Sequence, residues 1–203
     1  SSAFIIRPLS WNPTEFSDKT YFNNGDIFSD VYSEGIVRHE AKVLIDPGLA
    51  DATNLSHYLS PGQAEAVRSA MFMPEGSTLV VNLPTGSGKS LVAQSSLIMD
   101  GLGMGLTLII VPTTSLAIDQ SRQMKELLRN RYPEIEDRHL YYAGGLIKEQ
   151  KDNIKTDVRN GRQGVLFASP EAVCGALRPA IWDAVKSGNM RYFIIDEAHM
   201  VNA

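Results

Sequence analysis

The stretch Leu83-Pro84-Thr85-Gly86-Ser87-Gly88-Lys89-Ser90 decides how this chain is read. It follows an apolar run, Thr78-Leu79-Val80-Val81, and opens an amphipathic one carried by Leu91, Val92, Ser95, Leu97 and Ile98, a pattern of strand, tight loop and helix. A glycine-rich loop in that setting turns successive backbone N–H groups toward one point, at the positive end of the following helix, and so forms a cradle for phosphate. Thr85, Gly86, Ser87 and Gly88 make the cradle, Lys89 reaches the outer phosphates, and Ser90 offers its hydroxyl to a magnesium ion carried in by the nucleotide. Leu83 stands where the general pattern has glycine. Alone, the stretch also reads as a Gly/Ser-rich turn between a strand and a helix.

At 203 residues the chain can bury a real core as one domain, or one domain with an appendage. Its longest apolar run, 106–111, is far too short to span a bilayer, so no membrane partner is expected. Cys174 is the only cysteine, which excludes an internal disulfide or a cysteine-rich zinc cluster and fits a reducing, cytoplasmic setting. The formal charge of −4 argues against holding nucleic acid by bulk electrostatics, but a local groove remains compatible with it. The sequence opens Ser1-Ser2 without Met, so we expect it to lie inside a longer polypeptide.

Residues 1–57 differ from the rest, with Pro8, Pro13, Asn23-Asn24-Gly25, Gly35 and Pro47-Gly48 breaking up short apolar pieces. They read as an irregular N-terminal extension with two short strands, over 3–6 and 42–45. From Ser60-Pro61 a helix of about eleven residues is expected, with Pro at its first position and Gln63, Ala66, Val67, Ala70 and Met71 at helical spacing. After the phosphate loop and its helix, strands are expected over 106–111, 139–143, 164–168 and 192–195. Helices are expected over 115–129, 146–159 and 179–186, with a further start at Ser169-Pro170. Strands and helices alternating at this interval imply right-handed crossovers and a mainly parallel sheet flanked by helices, with ligands at the carboxyl ends of the strands.

The last strand ends in Asp196-Glu197-Ala198-His199, on that same edge. Asp196 there can hold the water shell of the magnesium, and Glu197 can orient or deprotonate the attacking water. By themselves the two acids read equally well as a helix start.

With these pieces in order, the chain from about 58 to 201 resembles the superfamily-two helicases, and within them the RecQ-like branch. The resemblance is carried by Pro-Thr-Gly-x-Gly-Lys-Ser at 84–90, where the family does not require a preceding Gly. Pro112, Ser115-Leu116 and Asp119-Gln120 look like motif Ia, Ser169-Pro170-Glu171 like motif Ib, and Asp196-Glu197-Ala198-His199 like the DEAH form of motif II. Pro61-Gly62-Gln63 looks like the adenine-reading motif, with Gln63 able to pair both edges of adenine. Where RecQ enzymes carry Arg, this chain has Ser60.

The resemblance implies a RecA-like phosphate-loop domain over 58–203, truncated after motif II, which uses ATP and Mg2+. It implies a second RecA-like domain that completes the ATP site, and single-stranded or partly duplex DNA as partner. Motifs Ia and Ib would place Thr113, Thr114, Ser115 and Ser169 on DNA phosphates; as isolated residues they read equally as helix caps. Arg122, Lys125 and Arg129 read first as solvated surface and second as a lining of the track, and the resemblance makes His199 a coupling residue. A strand bearing motif III would lie between the strands that end in the phosphate loop and in motif II, so the sheet is expected to be incomplete and the segment alone nearly inactive. The leading function is the motor of an ATP-dependent DNA helicase. The alternative is a nucleotide-gated nucleic-acid clamp or sensor subunit, of a kind suited to a bacterial defence complex, that does not unwind.

Overall fold

A computed structural model describes residues 4–6, 43–84 and 86–198. Thr85, His199 and most of the expected extension therefore lie outside the described residues. By its internal contacts the chain divides into two units, 1–45 with 56–89, and 46–55 with 90–203.

In the first unit, β1 (Phe4–Ile6) pairs in parallel with β4 (Leu79–Val81), and β2 (Val43–Leu44) pairs antiparallel with β3 (His57–Tyr58). The helix expected after Ser60 is α2 (Pro61–Phe72). Ser60 has extended backbone angles and its side chain accepts from the Gln63 N–H at 3.1 Å, while Pro61 occupies a position whose missing N–H costs nothing. Gln63, Ala64, Ala66, Val67 and Ala70 are buried.

The second unit is built on one parallel sheet of four strands, ordered β6 (Tyr141–Tyr142), β7 (Val165–Ala168), β5 (Leu106–Ile110), β8 (Met190–Ile195). Every residue of β5 and β7 is buried, as the unbroken apolar runs require of strands covered on both faces. Leu106, Leu108 and Ile110 point into a core with Leu166 and Ala168, closed by Ile154 and Val158 of α5 (Lys148–Arg159) and by Ala180, Ile181 and Ala184 of α7 (Arg178–Lys186). Strand alternation sends Thr107 and Ile109 to the other face, and α4 (Thr114–Leu128) packs against β7 and β6 with Ala117, Met124 and Leu128 buried. The phosphate-loop helix is α3 (Lys89–Asp100), and Ser169 caps the short α6 (Pro170–Cys174).

Two differences from the sequence reading concern proline. Pro47-Gly48, read as a break within the extension, instead opens α1 (Pro47–Thr53), and Pro133 opens a 3-10 helix, Pro133–Asp137, where none was expected. Proline ends a helix from inside but suits its first turn, so the same residue supports either reading.

The parallel sheet flanked by helices is as expected. Among the described residues β8 pairs only with β5, and Phe193 on it is 53% exposed. No helix among the described residues is long and apolar enough to cross a membrane.

Candidate functional site

The register of the sheet brings three loops together. Ile110 stands level with Ala168 on one side and Ile195 on the other, so β7, β5 and β8 end side by side. The next residues continue the pairing, with the Val111 N–H donating to Ala168 O at 3.0 Å and the Asp196 N–H to Ile110 O at 2.9 Å. The segments 111–115, 169–171 and 196–197 thus leave the sheet at one carboxyl edge, spaced by about 5 Å per strand.

Asp196 is held there with its carboxylate oriented. Oδ1 accepts from the Glu197 N–H at 3.0 Å, and Oδ2 accepts from Nε2 of Gln120, on α4, at 3.3 Å. Glu197 itself has φ of 53°, a left-handed conformation uncommon outside glycine. Such strain gathers where a side chain must be aimed against its local preference.

Thr113 and Ser169 open their helices as caps. The Thr113 side chain accepts from the Leu116 N–H at 3.2 Å and the Ser169 side chain from the Ala172 N–H at 3.4 Å. A hydrogen bond with the Ser169 side chain also holds the Glu171 carboxyl below its usual range. Thr113, Thr114 and Ser115 are exposed at the rim. Arg122, by contrast, pairs with Asp119 at 2.8 Å and Glu126 at 3.8 Å, and Lys125 donates to Glu136 O at 2.6 Å, so both have protein partners.

The carboxyl end of α3 is fixed at the opposite edge of the same sheet. Asp100 accepts from the Tyr192 hydroxyl at 2.8 Å and from Arg191 Nε at 3.2 Å, near the start of β8. Ser90, exposed, is at the other end of that helix.

The phosphate loop has its own ties. Gly86 and Gly88 both take positive φ, 78° and 76°. Gln63, 2% exposed, uses both ends of its amide: Oε1 accepts from the Leu59 N–H at 2.7 Å and Nε2 donates to Gly88 O at 2.9 Å. The adenine-reading role expected of Gln63 would require one of these contacts to be exchanged. Ser87 likewise directs its N–H and hydroxyl to Pro84 O, folding the loop on itself.

Two of the expected residues carry donors of the kind that a small, hard cation takes. Ser90 and Asp196 offer a hydroxyl and a carboxylate, and magnesium is held by one or two such groups together with phosphate and water. Among the described residues no group of three or more His, Cys, Asp or Glu could hold a metal by itself. The contact made by Gln120 was not legible: its place in motif Ia was visible, but its partner lies 76 residues away.

Fold and site together define an α/β phosphate-loop domain of RecA-like type, with acidic residues at the carboxyl edge of a parallel sheet. The family model described as DEAD/DEAH box helicase matches residues 60–203, and the chain belongs to that family. It is 31% identical over 146 residues to the ATP-dependent DNA helicase Q4 of Mus musculus, covering 70% of this chain and 11% of that protein. To the ATP-dependent DNA helicase RecQ of Haemophilus influenzae it is 30% identical over 142 residues, covering 70% of the chain and 20% of the relative. The helicase SGS1 of Saccharomyces cerevisiae is similar at 28% over 145 residues, covering 70% and 9%. The resemblance to the RecQ-like branch is thereby borne out. The chain spans a tenth to a fifth of the length of these curated relatives.

Proposed function

We propose that residues 58–203 are the first RecA-like motor domain of an ATP-dependent DNA helicase of RecQ-like type, acting in a reducing compartment. Thr85, Gly86, Ser87, Gly88 and Lys89 hold the triphosphate and Gln63 reads the adenine. Ser90 and Asp196 hold the magnesium, which neutralises charge on the phosphates. Glu197 takes the proton of the attacking water. A second RecA-like domain closes over the nucleotide, and closure and opening move a single DNA strand past Thr113, Thr114, Ser115 and Ser169.

The observation that supports this reading best is the shared carboxyl edge of β7, β5 and β8. A single contact, Gln120 to Asp196, joins the helix of motif Ia to the acid of motif II. A protein that couples a nucleic-acid track to a nucleotide needs these two motifs in mechanical contact.

The test is strand displacement by the full-length protein against its Lys89→Ala variant. ATP-dependent unwinding that disappears in the variant is the expected result. DNA binding regulated by ATP with no displacement would point instead to a nucleotide-gated clamp or sensor subunit, of the kind a defence complex uses. No ATP binding at all would overturn both.

A further inference from the structure

We propose that Gln120 is a positioning residue for the metal site, aiming the Asp196 carboxylate at the magnesium that accompanies the nucleotide. The proposal rests on the reading of Asp196 as the metal-holding acid, and gives Gln120, there only a contact between two motifs, a role at the metal.

Two observations and one rule of hydrogen bonding carry it. Gln120 is only 7% exposed, on a helix whose packing side chains Ala117 and Met124 are fully buried, so its amide is delivered from a rigid support. The amide reaches across to Asp196 Oδ2 at 3.3 Å. An ionised carboxylate can only accept, so the amide must present its NH2 to it, and a buried glutamine placed otherwise would leave a donor unsatisfied.

The second carboxylate oxygen accepts from the Glu197 N–H at 3.0 Å, and the Asp196 N–H is tied to Ile110 O. The Glu197 contact is local and fixes the carboxylate only against its own chain. The Gln120 contact fixes its rotation about the side-chain bonds from a different element. Each oxygen keeps a lone pair for a metal-bound water, which magnesium retains when it is held through a carboxylate. Partners of this kind, one step removed from the metal, change metal affinity by about 10–100-fold when removed.

The experiment measures linkage between magnesium and nucleotide in the full-length protein. A fluorescent ATP analogue is titrated in EDTA and then at increasing Mg2+, for wild type, Gln120→Leu and Gln120→Asn. Leucine keeps the bulk without the donor, and asparagine keeps the amide one methylene short of its partner. Both variants should bind the analogue in EDTA as wild type does, yet need about tenfold more Mg2+ to reach the tight state. Steady-state ATPase should fall at limiting Mg2+ and recover as Mg2+ saturates.

Met124→Ala, on the same helix but away from Asp196, is the control for loss of packing. It should lower thermal stability and leave the Mg2+ requirement unchanged. An unaltered Mg2+ half-saturation in both Gln120 variants overturns the proposal, as does an equal shift in Met124→Ala or an equal loss of affinity in EDTA. Wild-type protein whose ATP binding does not respond to Mg2+ would bring down the reading of Asp196, and this inference with it. A normal Mg2+ response in wild type, unchanged in the variants, overturns the inference alone.

Discussion

Of the two glycines in the phosphate loop, Gly88 tolerates the less change. Its φ of 76° is left-handed, and a Cβ there would run into the Gln63 amide and Leu59. Gly88→Ala therefore combines about 1–2 kcal/mol of backbone strain with loss of the contact between Gln63 Nε2 and Gly88 O. In calorimetry of the full-length protein we expect the melting of this domain to fall by about 2–8 °C. ATP affinity should fall at least about tenfold, because the same strain would move the amides proposed to face the phosphates. Gln63→Ala makes a separate prediction, on specificity. If its amide exchanges Leu59 or Gly88 for adenine, competition binding should show the preference for ATP over GTP falling by about tenfold, the loss expected for one buried polar contact. An unchanged preference would leave Gln63 as a clasp on the loop and nothing more.

At the scale of elements, α4 starts on a cap whose worth can be separated from any role on DNA. Thr113→Ala should cost about 1 kcal/mol by removing the acceptor for the Leu116 N–H, and Thr113→Ser should restore it. A DNA affinity that drops in the alanine variant and returns in the serine variant follows the hydroxyl. The far end of α3 carries a pH-dependent tie. Burial, with Asp100 alongside, raises the Tyr192 phenol above its ordinary value. A raised value in the folded state means that the tie contributes below the unfolded value, near 10, and is lost as pH rises through the folded one. Tyr192→Phe should thus be less stable than wild type at pH 8, with the difference shrinking in urea melts above pH 10. These elements were legible to different degrees, and the reasons are physical. Ser60-Pro61 announced α2 because cap and proline agree with the apolar spacing that follows. Pro47 did not announce α1, since no long periodic stretch follows it and its seven residues bury only Leu49 and Thr53. The strands β5 and β7 were plain as apolar runs. The pairing of Gln120 with Asp196 was not, because it is set by how α4 packs on the sheet, which no local pattern encodes.

For the whole molecule, the charge of −4 bears on how a nucleic-acid strand would be held. Basic residues on a track release counterions from phosphates, and each such contact on single-stranded DNA steepens the salt dependence by about 0.7 in the slope of log K against log salt. Hydroxyls and backbone amides position phosphates without carrying charge to exchange. Ser115 is exposed in the first turn of α4, where alanine is well tolerated by a helix. Ser115→Ala in the full-length protein should therefore weaken single-stranded DNA binding several-fold at every salt concentration and leave the slope unchanged. Arg122 gives the contrasting case, since Asp119 and Glu126 already balance its charge and, Asp119 first, raise its guanidinium further above the neutral range. Arg122→Ala should leave both affinity and slope within error of wild type. A slope reduced by about 0.7 in that variant would put Arg122 on a phosphate, and the track would then run along the charged side of α4 and not across its first turn.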